Sequence, residues 1–138
     1  LGDVYKRQLQ EKMAPYFSAP SGGPMIQHSL TVMLELCHRG ELTPETVVEK
    51  MCHNPAIIFS VADRGFLRIG YKADIVLVNP DAPWTVSGEN ILSKCGWSPL
   101  EGTTFRSRVM TTIVNGVTVF DEGRLTGRRA AERLIFNR

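Results

Sequence analysis

The sequence is short of most features that would make its chemistry obvious. Its 138 residues hold three cysteines, Cys37, Cys52 and Cys95, with no pair at CxxC spacing. An odd, scattered set argues against a disulfide framework or a zinc knuckle, and fits reduced thiols in a cytoplasmic protein. The three histidines, His28, His38 and His53, form no HxH or HExxH, so no metal ligand is assigned. The net charge of +2 is too near neutral to argue for nucleic acid or a membrane surface as partner. No apolar run approaches the roughly 20 residues needed to span a bilayer, and the N-terminus lacks the apolar core of a signal peptide. Internal repeats and low-complexity tracts are missing. The first residue is Leu1, not Met, and the chain is read as a fragment or a processed product.

What is present suits one packed domain. Hydrophobic residues make up 43% and charged residues 22%, which disfavours disorder. A loop, "APSGGPMIQHSL" at 19–30, is the first feature with a ligand-binding look. Its glycines let the backbone approach another group without a Cβ in the way. The backbone amides of Gly22 and Gly23 suit an anion or a carbonyl. A plain strand-to-helix turn explains the same residues equally well. Ser21 is not in a GxSxG elbow, and Walker A spacing with its lysine is missing.

Helices dominate the first half. Leu30, Met33, Leu34 and Cys37 fall at i, i+3, i+4 and i+7, one apolar stripe, and Gly40 stops that helix. Thr43-Pro44-Glu45 opens a second, with Thr as cap, Pro at the first turn and Glu at the positive end. Val47, Val48, Met51 and Cys52 are expected on its buried face. Asn54-Pro55 predicts a third short helix over 56–61, with His53 serving helix termination.

Near Asp63 the period changes. "ADIVLVN" reads as a buried strand. Two β-branched runs flank Asn115-Gly116, the strongest short-range hairpin signal, and Asp121-Glu122-Gly123 makes the next turn. The irregular stretch 79–108, rich in Pro and Gly, is expected to be functional or to pack on another part of the protein. Helices before strands suggest two units meeting near residue 63. About three strands make a poor sandwich alone, so strand partners are expected outside this chain.

Other candidates have plain readings. His28 is read as a helix-end or interface histidine more readily than as a pocket group. Cys95, beside Gly96-Trp97, is the one cysteine expected to be exposed, and it lacks an identifiable base. Arg124, Arg128, Arg129, Arg133 and Arg138 read as a solvated face. Residues alone thus give a cytoplasmic α/β piece with one ligand loop.

Three stretches together resemble one family. "RGFLRIGYKADIVLVNPDAPWTV" is similar to the Gly-x-x-x-x-Gly-x-x-Ala-Asp strand of the amidohydrolase superfamily, and "TTIVNGVTVFDEGRL" to its closing hairpin. "KCGWSPLEGTTFRSRV" resembles the Ser-Pro-Phe-Glu-Gly segment of dihydroorotases, with Leu100 in place of Phe. "LQEK" through "APSGGPMIQHSL" looks like the stretch after their Asp-His-Ala-Pro-His motif. Residues 9–138 are covered, and allantoinases and hydantoinases stand close by.

The resemblance implies the C-terminal end of a metal-dependent (β/α)8 barrel followed by part of a small β-sandwich. Residues 9–62 would end the barrel and 63–138 would give the C-terminal share of the sandwich. It also implies zinc-dependent, reversible cyclisation of carbamoyl-aspartate to dihydroorotate in pyrimidine synthesis. The zinc ligands and the catalytic aspartate would lie upstream, leaving no catalytic or metal residue here. Ala19, Pro20, Ser21 and Gly22 would contact the pyrimidine ring through their backbone. A homodimer or an aspartate transcarbamoylase is the implied partner; a non-catalytic scaffold subunit is the alternative of another class. Asp3 lies near the expected catalytic aspartate, but "DVYKRQ" replaces the motif, so residues 1–8 are read as foreign to the family frame and Asp3 receives no role.

Overall fold

The computed structural model describes residues 9–137, and Asp3 and the rest of 1–8 lie outside the described residues. Helices come first: α1 (Leu9–Lys12), a 3-10 turn (Ile26–His28), α2 (Ser29–His38), α3 (Pro44–Val48), a π turn (Glu49–His53) and α4 (Asn54–Ile58). Six strands follow: β1 (Ile75–Asn79), β2 (Trp84–Thr85), β3 (Thr104–Phe105), β4 (Arg108–Val114), β5 (Val117–Asp121) and β6 (Arg124–Leu125). The architecture is mixed α/β.

The end of α2 follows its sequence signal closely. Gly40 takes φ +75°. Its N–H donates to Cys37 O at 2.9 Å and Glu41 N–H to Leu36 O at 3.0 Å, the two bonds of a Schellman motif. Thr43 caps α3 by accepting from Thr46 N–H at 3.2 Å. Beyond α3 the structure corrects the expectation of a separate helix over 56–61. The chain stays helical through the π turn into α4, which ends at Ile58. Pro55 explains the wide turn: it has no N–H to donate, and its ring would strike the carbonyl four residues back in a tight α turn. Asn54 N–H accordingly reaches back to Glu49 O. His53 therefore does not end a helix; its ring stacks on Phe66 at 4.3 Å between centroids.

Burial also departs from the helical stripes. Val47 is buried, but Val48, Met51 and Cys52 are exposed. In α2 the buried residue is Thr31, while Leu30, Met33, Leu34 and Cys37 are half-buried. Both sets keep helical spacing. What they lack is a second layer among the described residues.

The main sheet runs β1-β4-β5-β6, all antiparallel. Asn115 (φ +49°) and Gly116 (φ +79°) join β4 to β5; two central residues with positive φ make the type I′ turn that suits strand twist. Glu122 and Gly123 repeat it before β6, at φ +44° and +88°. The strand expected at "ADIVLVN" forms as β1 but is not buried: Val76 and Leu77 are exposed. Within 79–108, β2 pairs with β3, and Val86, Ser98, Phe105 and Ser107 are buried there. This stretch packs against α2 and supplies half of the buried residues among those described.

Candidate functional site

The loop 19–22 is held from below by a lysine. Lys12, the last residue of α1, donates its ammonium to the carbonyls of Pro20 and Gly22. Those carbonyls are thereby turned to one side. The N–H groups of Ser21 and Gly22 have no acceptor among the described residues. Ala19 N–H is used internally, donating to Pro15 O at 2.9 Å. Gly22 sits at φ +89°, a conformation that L side chains rarely adopt. Ala19 and Pro20 are half-buried, Ser21 and Gly22 exposed, and Pro24 is buried and fixes the far end. The four residues picked from sequence thus lie in one bent loop, whose exposed Ser21 and Gly22 have N–H groups with no acceptor among the described residues.

From Pro24 the chain enters the 3-10 turn and α2, and three polar residues tie it to the segment 84–107. Gln27 Nε2 donates to Asn90 O at 2.7 Å, and Leu92 N–H donates to Gln27 Oε1 at 2.8 Å. His28 is 1% exposed; its Nδ1 lies 3.3 Å from Ser98 Oγ and its ring stacks on Trp84. The His28 Nε2 has no hydrogen-bond partner among the described residues. Burial alone holds the imidazole below its ordinary pKa, since the charged form loses its hydration. Near the other end of α2, Glu35 accepts from the Arg106 guanidinium at 2.8 Å. That bond holds the Glu35 carboxyl below the usual carboxylate range. His38 Nε2 pairs with Ser107 Oγ at 2.8 Å.

His28 is thus the interface histidine that its position suggested. Cys95 corrects the expectation of exposure: it is buried, with Ser93 Oγ 2.9 Å from its sulfur. The arginines Arg124, Arg128, Arg129 and Arg133 are exposed, as a solvated face requires, and Arg138 lies outside the described residues. Lys12 and Gln27 escaped the sequence reading. Lysine in a short polar run carries no positional signal. Gln27, a polar residue one turn before Leu30, was the better clue.

A groove of about 1040 Å³ opens beside this junction. Leu30, Val76, Trp84, Val109, Phe120 and Leu125 are among its walls, with Lys94 and Arg108 also lining it. Its walls draw on β1, β4, β5 and β6 of the main sheet, and exposed Val76 of β1 is part of that surface.

No three His, Cys, Asp or Glu side chains among the described residues are grouped to hold a metal ion. His28, His38 and His53 are committed to a serine, a serine and an aromatic ring. The described residues do not fit a zinc site.

Comparison with known proteins places the chain. Residues 18–119 match the amidohydrolase family, and the chain belongs to that family. It is 40% identical to the dihydroorotase of Halobacterium salinarum over 111 residues, 80% of this chain and 26% of that protein. To the dihydroorotase of Pyrococcus furiosus it is 32% identical, over 83% of this chain and 28% of that one. The chain therefore spans about a quarter of the length of these relatives. Among solved structures, L-hydantoinase (dihydropyrimidinase) from Arthrobacter aurescens superposes with a TM-score of 0.74 at 29% identity, covering 79% of this chain and 25% of that one. A D-hydantoinase structure superposes at 0.79 with 23% identity over 90% of this chain and 27% of that one; this likeness concerns the fold. No described helix is long and apolar enough to cross a membrane.

Proposed function

We propose that this chain is a segment of a dihydroorotase and supplies its substrate loop. The carrying observation is the loop 19–22, where Lys12 fastens two carbonyls and the Ser21 and Gly22 N–H groups have no acceptor among the described residues. Two neighbouring backbone donors suit the edge of a cyclic imide or ureide, and bring no side chain that would compete for a metal. The 40% identity to a curated dihydroorotase favours dihydroorotate as the ring. The reaction is addition of water to the ring amide carbon, opening it to carbamoyl-aspartate, and the reverse closure with loss of water. In this reading zinc would polarise the carbonyl and activate that water, on ligands that the described residues do not supply. Residues 9–62 close the barrel and 63–138 form the C-terminal part of the sandwich. The apolar face of the main sheet supports that division, because a sandwich buries such a face against a second sheet. Pyrimidine synthesis in the cytoplasm is the setting, with a second copy or an aspartate transcarbamoylase as partner.

The likeness to L-hydantoinase at 29% identity supports a second reading, in which the ring is a hydantoin. Substrate preference of the full-length enzyme separates the two. The loop itself is tested by Gly22→Val, which forces a branched side chain into φ +89° and displaces the turn. Misplacement of about 1 Å can lower the rate around a hundredfold. Gly22→Val should therefore lose most of kcat/KM on dihydroorotate and carbamoyl-aspartate with bound zinc retained. Ser21→Ala keeps the backbone donor and should be mild. A Gly22→Val enzyme near wild type would reduce the loop to a connector.

A further inference from the structure

We infer that Gln27 is a positioning residue, holding the loop 19–22 in register by docking the N-terminal turn of α2 onto the segment 90–92. The inference rests on the substrate-loop reading and adds a residue to it.

The side-chain amide of Gln27 is used at both ends, donating to Asn90 O at 2.7 Å and accepting from Leu92 N–H at 2.8 Å. It occupies the place a strand residue would take beside 90–92, so the contact fixes direction as well as distance. The receiving segment is itself fixed. Asn90 Nδ2 donates to Thr85 O at 2.8 Å, and Asn90 Oδ1 accepts from Ser87 N–H at 3.0 Å. Both bonds tie 90–92 back to β2 and the residue pair that follows it.

Between Gln27 and the loop there is little slack. Met25 N–H donates to Gly23 O at 2.9 Å, and His28 N–H to Met25 O at 3.1 Å. Pro24 is buried and has a fixed φ. Four residues separate Gly22 from Gln27, and these bonds make them a short, stiff lever. A shift at Gln27 is carried to Gly22 instead of being absorbed. His28 and Glu35 also tie this helix to 84–107, but Gln27 is the first anchor after the loop.

Two variants of the full-length enzyme test the inference. Gln27→Leu removes both bonds at similar size. Gln27→Glu keeps the acceptor for Leu92 N–H, loses the donor to Asn90 O, and serves also if the leucine variant folds poorly. With rates expressed per folded, zinc-loaded enzyme, Gln27→Leu should lower kcat on dihydroorotate about tenfold to a hundredfold, and Gln27→Glu by less. A purely structural role would lower the yield of folded enzyme and leave kcat and KM per folded molecule unchanged; that result overturns the inference. The double variant Gly22→Val with Gln27→Leu adds a second criterion. If Gln27 acts through the loop, it should cost little more than Gly22→Val alone. Full additivity of the two losses would overturn the inference while leaving the substrate loop intact. A silent Gly22→Val would bring down the loop reading, and the role of Gln27 with it.

Discussion

The carboxylate of Asp74 and the backbone of Asn115, forty-one positions apart, are joined directly: Asp74 Oδ1 accepts the Asn115 N–H at 2.8 Å. The other oxygen of Asp74 accepts from Arg64, and a second nitrogen of the same guanidinium donates to Asn115 Oδ1 at 2.7 Å. The three residues close a ring that staples the loop before β1 to the tight turn between β4 and β5. This gives the aspartate of the family's Ala-Asp motif a physical task in this chain, which is to hold the hairpin turn.

Asp74→Ala should therefore loosen the hairpin. It leaves the Asn115 N–H without its acceptor and takes one of its acceptors from the mostly buried Arg64 guanidinium, which keeps Asn115 Oδ1; such a loss costs about 1–3 kcal/mol. Asp74→Asn keeps an oxygen for the Asn115 N–H and should cost less. Thermal melts and exchange of the Asn115 amide read the difference. Equal stability of wild type and Asp74→Ala would refute the staple.

The two glycines of the same motif carry different duties. A Cβ on Gly65 would lie 2.5 Å from Ala56 Cβ and 2.8 Å from Cys52 O, whereas one on Gly70 would meet nothing within 4 Å. Both residues have positive φ, +80° and +86°. Gly65→Ala should destabilise by about 2–4 kcal/mol, because overpacking adds to backbone strain. Gly70→Ala carries only the strain and should cost about 1 kcal/mol. Chemical denaturation of both variants tests the ranking, and similar losses would contradict it.

Acid should weaken the junction of α2 with 84–107 through His28. Burial lowers its pKa below the ordinary value of 6.5, so the unfolded chain binds the proton more readily than the folded one. The contribution to stability is whole above pH 6.5 and is lost as pH falls from there through the lowered folded value. His28→Gln removes the titration while keeping a polar partner for Ser98. Denaturant midpoints between pH 7.5 and 5 should fall less steeply in the variant. Identical slopes would mean that His28 does not carry the acid sensitivity.

Local chemistry was legible in the sequence where the cause is local. Gly40, Thr43 and the Asn115-Gly116 pair each specify a few dihedral angles, and each does what its residue type dictates. The hairpin, β1 and the helix-then-strand order follow from such signals. The clamp of Gln27 on 90–92 and the pairing of His28 with Ser98 join residues 63 to 70 positions apart, and no short-range pattern encodes them. Burial was misjudged for the same reason. Val48 and Met51 keep an inward-looking period, but which face is covered depends on segments far away in the chain.

The wide turn at Glu49–His53 works as a phase shifter. Val47 and Ala56, both buried, are nine positions apart, and at about 100° per residue an uninterrupted α-helix would set them on opposite faces. One residue taken up by the π turn reduces the offset to roughly 80°, so both side chains come round to the same side and Ala56 meets Gly65. The segment 49–53 is thus tuned by its length. Adding one more residue to it would spare every contact-making side chain outside it, yet carry Ala56 about 100° further round, away from Gly65, and unseat the loop that leads to Asp74.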